Sequence, residues 1–343
     1  MHLEAASEHL PGDAEWKALT VSAPKSAAFR EDLYLRECWA DTADVLTDGV
    51  PALQNGPTPQ NSPAVQNGLA LLSSLALLTF KCDGVAGRRM VRTLEFLDQH
   101  DFAVIAVAPI RLNRHSMREL WRYNWHVYPI DRLNLMSVMH AATESLLLLL
   151  RDRRYDGVVP GATRLADLKG AADPAKRRPH ELRAVLEPPN SVINFVHVAD
   201  EPADVVRELA IFLDRPRRRA VLTSARENAE GDLMPAALDA VRQLEQRYRA
   251  HDFDLAAALR RVTADPSVPA AQRDRLVSAV SDGPAMSWDE LVAVLDPADP
   301  HTNVWDFVCV ATAVLPAKRE SLTDLLPAVT AADWLAATAG TAG

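Results

Sequence analysis

The sequence predicts an α+β fold, and three changes of pattern along its 343 residues predict it. The first 50 residues are weakly helical, residues 71–214 alternate short β-rich or apolar runs with segments of helical period, and the stretch after Arg219 carries helical period alone. In the middle region the order is β, α, β, two helices, β, α, an irregular loop, β, α. That is the ferredoxin-like βαββαβ arrangement, an antiparallel sheet backed by helices. The expected organisation is an N-terminal extension and linker over 1–68, an α+β domain over 69–214 and a C-terminal all-helical region over 220–343.

Each element follows from local pattern. Phe29 to Val45 is the best helical piece of the extension, with Leu33, Leu35, Cys38, Trp39 and Val45 suited to docking on a larger body. From Pro51 to Gly68, Pro, Gln, Asn and Gly crowd together without regular apolar spacing, which predicts a linker. Strands are expected at Leu75 to Phe80, Phe102 to Leu112, Ser145 to Leu150 and Val192 to Ala199. Helices are expected at Arg88 to His100, Ser116 to Asn124, Arg132 to Ala142, Ala162 to Leu168 and Ala203 to Leu213. Further on, Met234, Leu238, Val241, Leu244 and Tyr248 recur at helical spacing, Ser287 and Glu290 have the form of a capping box, and prolines 266, 269, 284, 297, 300, 316 and 327 divide the region into short helices.

Composition bounds the function. With 37 basic against 46 acidic residues the net charge is −9, so nucleic-acid binding is not expected and Arg215 to Arg219 reads as a solvated linker. The longest apolar run, Phe102 to Ala108, falls far short of the roughly 20 residues of a membrane span, so no membrane role is expected. The N-terminus carries acids early and lacks the basic start and apolar block of a signal peptide, which predicts a cytoplasmic protein. Three scattered cysteines, Cys38, Cys82 and Cys309, predict reduced thiols, with Cys82 a packing residue. Histidines 115, 126 and 140 lack an i, i+4 partner or a nearby cysteine, so no metal site made by the protein is expected. The Trp305, Phe307, Val308, Val310 stripe reads as helix core. The excess of 31 Arg over 6 Lys, beside abundant Ala, points to a GC-rich bacterial genome.

The most informative segment is Asn194-Phe195-Val196-His197-Val198-Ala199-Asp200, a strand that ends in a histidine and passes at once into a helix. Asp200 is the expected cap of that helix, with Glu201 and Pro202 in its first turn. Glu208 follows His197 by eleven positions, close enough for its carboxylate to orient the imidazole. A neutral imidazole so held can attack phosphorus and split group transfer into two steps. A spacing of three puts Asn194 and His197 on opposite faces of a regular strand, so both serve one site only where the strand distorts. Upstream, Lys81-Cys82-Asp83-Gly84-Val85 follows the first strand and offers a lysine to a phosphate. The loop from Gly170 to Arg183 brings basic side chains just before the histidine strand.

In this order these pieces resemble the nucleoside diphosphate kinase family, whose pattern is K-P-D-G-V, a Pro-containing loop closing on an arginine, then N-x-x-H-G-S-D and a helix bearing a glutamate. The match spans about Leu71 to Asp214. The resemblance implies a phosphorylated His197 oriented by Glu208, Lys81 on the phosphates, Arg183 and Arg164 on the transferring or β-phosphate, and Asn194 on the ribose. Tyr123 matches the family's active-site tyrosine, with Trp121 as the alternative. It further implies ATP or another nucleoside triphosphate as substrate, Mg²⁺ held through the nucleotide phosphates, and self-association into a homo-oligomer.

The departures have their own implications. Cys82 replaces the family's proline, Val198-Ala199 its Gly-Ser, Ala172 a phosphate-touching threonine, and Ala184-Val185-Leu186 its Gly-Asp-Phe. Val198 resists any positive φ, and Arg151 to Gly161 is unlike a short family connection. The expected function is a nucleotide-dependent phosphotransferase acting through a phosphohistidine on a nucleotide or a specialised small-molecule acceptor. The alternative is a repurposed nucleotide-binding module without turnover, serving a regulatory or partner-binding role. A third reading applies the same site to activating a specialised metabolite.

Overall fold

The structure, a computed structural model, describes residues 10–46, 63–266, 268–283, 286–319 and 322–341. Four helices come first: α1 (Asp13–Leu19), α2 (Ala23–Arg30), α3 (Leu33–Leu46) and α4 (Pro63–Ser74). The mixed region follows as β1 (Leu75–Phe80), α5 (Cys82–Ala86), α6 (Met90–Gln99), β2 (Phe102–Ile110), α7 (Arg114–Leu120), α8 (Ile130–Ala141), β3 (Ser145–Asp152), α9 (Gly161–Lys169), α10 (Leu182–Leu186), β4 (Val196–Val198) and α11 (Pro202–Phe212). The chain then continues as α12 (Arg215–Glu227), α13 (Met234–Arg247), α14 (Leu255–Ala264), α15 (Ala270–Asp282), α16 (Trp288–Val292), α17 (Val304–Val314) and α18 (Ala331–Thr341).

The four strands form one antiparallel sheet in the order β2-β3-β1-β4. Neither residue parity of β1 is exposed, and β3 is buried from Ser145 to Leu150, so the sheet is covered on both faces. That is why these strands read as continuous leucine runs without alternation. On β2 an extra residue at Ile105 makes a bulge. The Ile105 carbonyl accepts from Ser224 Oγ, while Val104 N–H donates to Asp232 and its carbonyl accepts from Leu233 N–H at 2.6 Å. α12 and the chain just after it thus satisfy the β2 edge of the sheet at its bulge.

Three expectations need correction. Of the expected linker, residues 51–62 lie outside the described residues, but 63–68 open α4, because Pro63 suits a first helical position and Leu69, Leu71 and Leu72 supply the apolar contacts further along. The arginine run is the first turn of α12, its N-cap Asp214 accepting from Arg217 N–H. Arg218 is fully buried, its guanidinium on Asp41 at 2.8 Å and Glu37 at 3.0 Å of α3, while Arg215 and Arg219 also reach Asp41. The expected strand Val192 to Ala199 shrinks to three residues. Asn190 Oδ1 takes the N–H groups of Val192 and Ile193, so they never reach the ladder. The Ser287 and Glu290 capping box forms as expected, and the Trp305 to Val310 stripe is buried core.

Candidate active site

The distortion that Asn194 and His197 require lies at Phe195, two residues before the histidine. Phe195 has φ 68°, and Val196 N–H donates to the Asn194 carbonyl at 2.8 Å. A bulky residue in this conformation costs roughly 1–3 kcal/mol and persists only where its surroundings over-determine it. Here they do. Asp83 Oδ2 accepts from Asn194 N–H and Phe195 N–H, each at 2.8 Å, and Lys81 N–H donates to the Phe195 carbonyl at 2.9 Å. Gly84 lets α5 approach that carbonyl: a Cβ there would stand 2.5 Å from the Phe195 oxygen. The Lys81 to Gly84 turn is therefore the clamp on the kink. Val198 is ordinary strand paired with Leu78, so the positive φ it would resist is not demanded of it.

With the kink in place, His197 pairs with Thr79 of β1 while Val196 and Val198 are buried. Its Nε2 lies 2.9 and 3.0 Å from the two carboxylate oxygens of Glu208 on α11. Burial pushes the Glu208 carboxyl up, and the imidazole beside it pulls it back toward the ionised form. A carboxylate only accepts, so the hydrogen of this contact sits on Nε2, and no described residue hydrogen-bonds Nδ1, which holds the lone pair of the neutral ring. The Trp121 ring stands edge-on to the imidazole at 5.6 Å between centroids. Asp200 is not the cap of α11. Glu201 holds that position, and Asp200 instead pairs with Lys169 at 3.2 Å.

His197 and Glu208 open on a cavity of 330 Å³ that Lys81, Tyr123, Arg183 and Asn194 also line. Lys81 Nζ donates to the Val192 carbonyl at 2.8 Å and Asn194 Oδ1 at 2.9 Å, with Asp83 at 3.4 Å. Burial pushes its pKa down to about 8. Arg183 reaches the carbonyls of Gly170 and Val196 at 2.9 and 3.1 Å, and burial lowers it to about 10. Tyr123 donates its hydroxyl to Asp32 at 3.1 Å; burial, then the Asp32 charge, push the phenol up to about 12.

Arg164 is not brought to the cavity. It turns toward the end of β3, bonded to Asp152 and the His100 carbonyl with its guanidinium over the Phe102 ring. Of the loop's basic side chains only Arg183 lines the cavity, and Ala172 lines it too. Arg177 instead ties together the carbonyls of Ala171, Ala172, Pro188 and Asn190, and Arg178 pairs with Glu181. The loop between Arg151 and Gly161 does not reach the cavity either.

Sequence reasoning gave no role to several residues that build this site. Asp83 was visible within the Lys81 to Val85 motif, yet its task as the kink's acceptor depends on backbone it meets 111 residues later. Arg207, next to Glu208, is buried against Asp32 at 2.7 Å, and Lys25 pairs with Glu201 and Asp204 at 2.9 and 2.8 Å. Those two carboxylates raise the Lys25 pKa despite its burial. Lys25 and Phe29 from the N-terminal helices and Leu326 to Ala328 from the C-terminal stretch complete the cavity wall. Arg132 of α8 lines it too. No local signal announces contacts across such separations.

Among the described residues no group of three His, Cys, Asp or Glu side chains is arranged to hold a metal ion, and no helix is long and apolar enough to cross a membrane. Of the cavity's carboxylates Asp200, Asp204 and Glu208 each face a basic side chain of the chain itself, while Asp324 stands on the wall outside ion-pair distance of the described basic groups. The described residues therefore offer no preformed set of oxygen ligands for Mg²⁺.

No family model matches the chain, and no curated protein matches it. Among solved structures it is similar to the nucleoside diphosphate kinase of Aquifex aeolicus, at 16% identity over 42% of this chain and 96% of that one, with a TM-score of 0.35. It is also similar to that of Halobacterium salinarum in complex with CDP, at 17% identity over 41% and 88%, TM-score 0.33, and to an NDP kinase from Pyrobaculum aerophilum, at 15% over 42% and 97%, TM-score 0.32.

Proposed function

We propose that this chain is a nucleotide-dependent phosphotransferase in which His197 takes the terminal phosphate of ATP or another nucleoside triphosphate and passes it to a nucleotide or specialised acceptor. The observation that carries this reading is an imidazole fixed through Nε2 by Glu208, with Nδ1 unengaged, on a cavity that also holds the buried cations Lys81 and Arg183. Arg183 has no carboxylate partner among the described residues and Lys81 only Asp83 at 3.4 Å, a balance of charge that suits a polyphosphate. The motif order in the sequence supports the same reading, and the strand order β2-β3-β1-β4 supports the ferredoxin-like core it implies.

In the first step the Nδ1 lone pair attacks the γ-phosphorus. The N–P bond forms as the bond to the bridging oxygen breaks, and its electron pair leaves on the nucleoside diphosphate. In the second, an acceptor oxygen attacks phosphorus and the N–P pair returns to Nδ1; a diphosphate attacks as its anion, and a hydroxyl acceptor gives its proton to water. Glu208 holds the Nε2–H through both steps and stabilises the charged ring. Lys81 and Arg183 meet charge on the phosphate oxygens. Within this reading residues 69–214 hold the chemistry, while Lys25, Phe29 and Leu326 to Ala328 complete the wall of the cavity.

One observation favours the reading without turnover: all three Lys81 donors already face internal acceptors, so phosphate must displace one of them. Labelling of His197 from γ-labelled ATP separates the cases, and transfer from ATP to GDP, CDP, UDP and dTDP tests specialisation. The hydroxyls missing at Ala172 and Ala199 cost roughly 1–3 kcal/mol each toward charged groups, so turnover several orders of magnitude below that of a general kinase is expected on all four. High rates on all four would refute specialisation.

A further inference from the structure

Arg132, in the first turn of α8, is 6% exposed and lines the same cavity, yet its guanidinium makes no hydrogen bond or ion pair with any described residue. Its Nε is buried without a partner. Burial lowers its pKa to about 10, opposed only by the neighbouring Tyr128 phenol, and its charge helps to lower that of Lys81. Asp324, on the cavity wall near Tyr128, forms no ion pair with it. Lys81, Arg132 and Arg183 therefore share one cavity, and Asp83 is the one carboxylate within ion-pair distance of any of them among the described residues. Burying a guanidinium unpaired opposes folding. A chain holds such a group at low cost only when a ligand supplies the counter-charge, which makes stability and function pull apart at this position.

We propose that Arg132 is a substrate-binding residue that, with Lys81 and Arg183, forms a three-cation subsite for the phosphate chain, completed when the polyanion enters. The subsite rests on the phosphotransferase reading of the cavity. Its planar fork gives two parallel donors to one phosphate, which an ammonium at the same place does not.

Calorimetry in a His197→Ala background, where no label or turnover intervenes, tests it with ATP and inorganic tripolyphosphate as probes. Adding Arg132→Met should weaken both by about tenfold or more and leave the melting temperature of the ligand-free protein equal or higher. Arg132→Lys should bind both severalfold less tightly than the parent. Unchanged affinity in Arg132→Met overturns the proposal while the phosphotransferase reading stands, as does a lowered melting temperature with affinity retained. Should Arg132→Met fail to fold, Arg132→Lys decides alone: parental affinity overturns the subsite. A His197→Ala parent that binds neither probe sinks the cavity reading and this subsite together.

Discussion

His197, Glu208 and Lys81 set the chemistry at the scale of single residues. Because Glu208 touches only Nε2, its loss leaves the nucleophile intact but free to rotate. Glu208→Gln should slow phosphorylation of His197 by about 10- to 100-fold, measured as single-turnover labelling. Lys81 gives a pH dependence whose sign follows from its pKa of about 8, below the ordinary 10.5. Between those values the unfolded chain binds a proton that the folded one does not, so this group's contribution to stability rises with pH across that window and is least favourable below it. Anion binding has the opposite sign, since phosphate prefers the protonated amine. ATP affinity should be highest below pH 8 and fall by up to about tenfold per unit above it. Calorimetry from pH 6.5 to 9.5 checks this, and Lys81→Gln should flatten the profile; a profile as steep in that variant would assign the effect elsewhere.

The clamp is the decisive device at the level of elements. Gly84→Ala would force a Cβ against the Phe195 carbonyl, a backbone atom with nowhere to go. Overpacking of this kind costs about 1–3 kcal/mol, readable by urea unfolding, and the displaced kink should slow labelling as well. Wild-type labelling in a destabilised Gly84→Ala would mean the kink does not set the histidine. The strands β1, β2 and β3 and the helices α6, α7 and α8 are readable from sequence, because buried apolar runs and amphipathic period are local properties, while the short α5 carries no such signal. The kink was only half readable. The spacing of Asn194 and His197 demanded a distortion, but its place depended on Asp83 and Asn190 drawing backbone N–H groups away from the ladder.

Across the whole molecule, the site draws on segments far apart in the chain. Asp32 accepts from both Tyr123 and Arg207, so it ties the N-terminal helices to two walls of the cavity. Asp32→Ala should destabilise the fold by about 3–5 kcal/mol, the cost of leaving a buried charge unpaired, measured by urea denaturation; a change under about 1 kcal/mol would show that Arg207 finds another partner. Such pairings were not readable from sequence. Arg164 sits within the resembling segment and was placed on phosphate, but Asp152 twelve residues earlier holds it. Arg215 to Arg219 reads as solvated until Asp41 and Glu37, more than 170 residues earlier, are brought against it. His197, Glu208, Lys81, Asn194, Arg183 and Tyr123 stand out as candidates in the sequence through local motifs and their spacing, and all six line one cavity.

The most direct test of this account is to incubate the protein with ATP labelled in the γ-phosphate, quench in base and locate the label by peptide mapping. The account predicts an acid-labile, base-stable phosphoramidate on Nδ1 of His197 that is lost when ADP is added and absent from His197→Ala. No label on the wild-type protein, or undiminished label in His197→Ala, would contradict it.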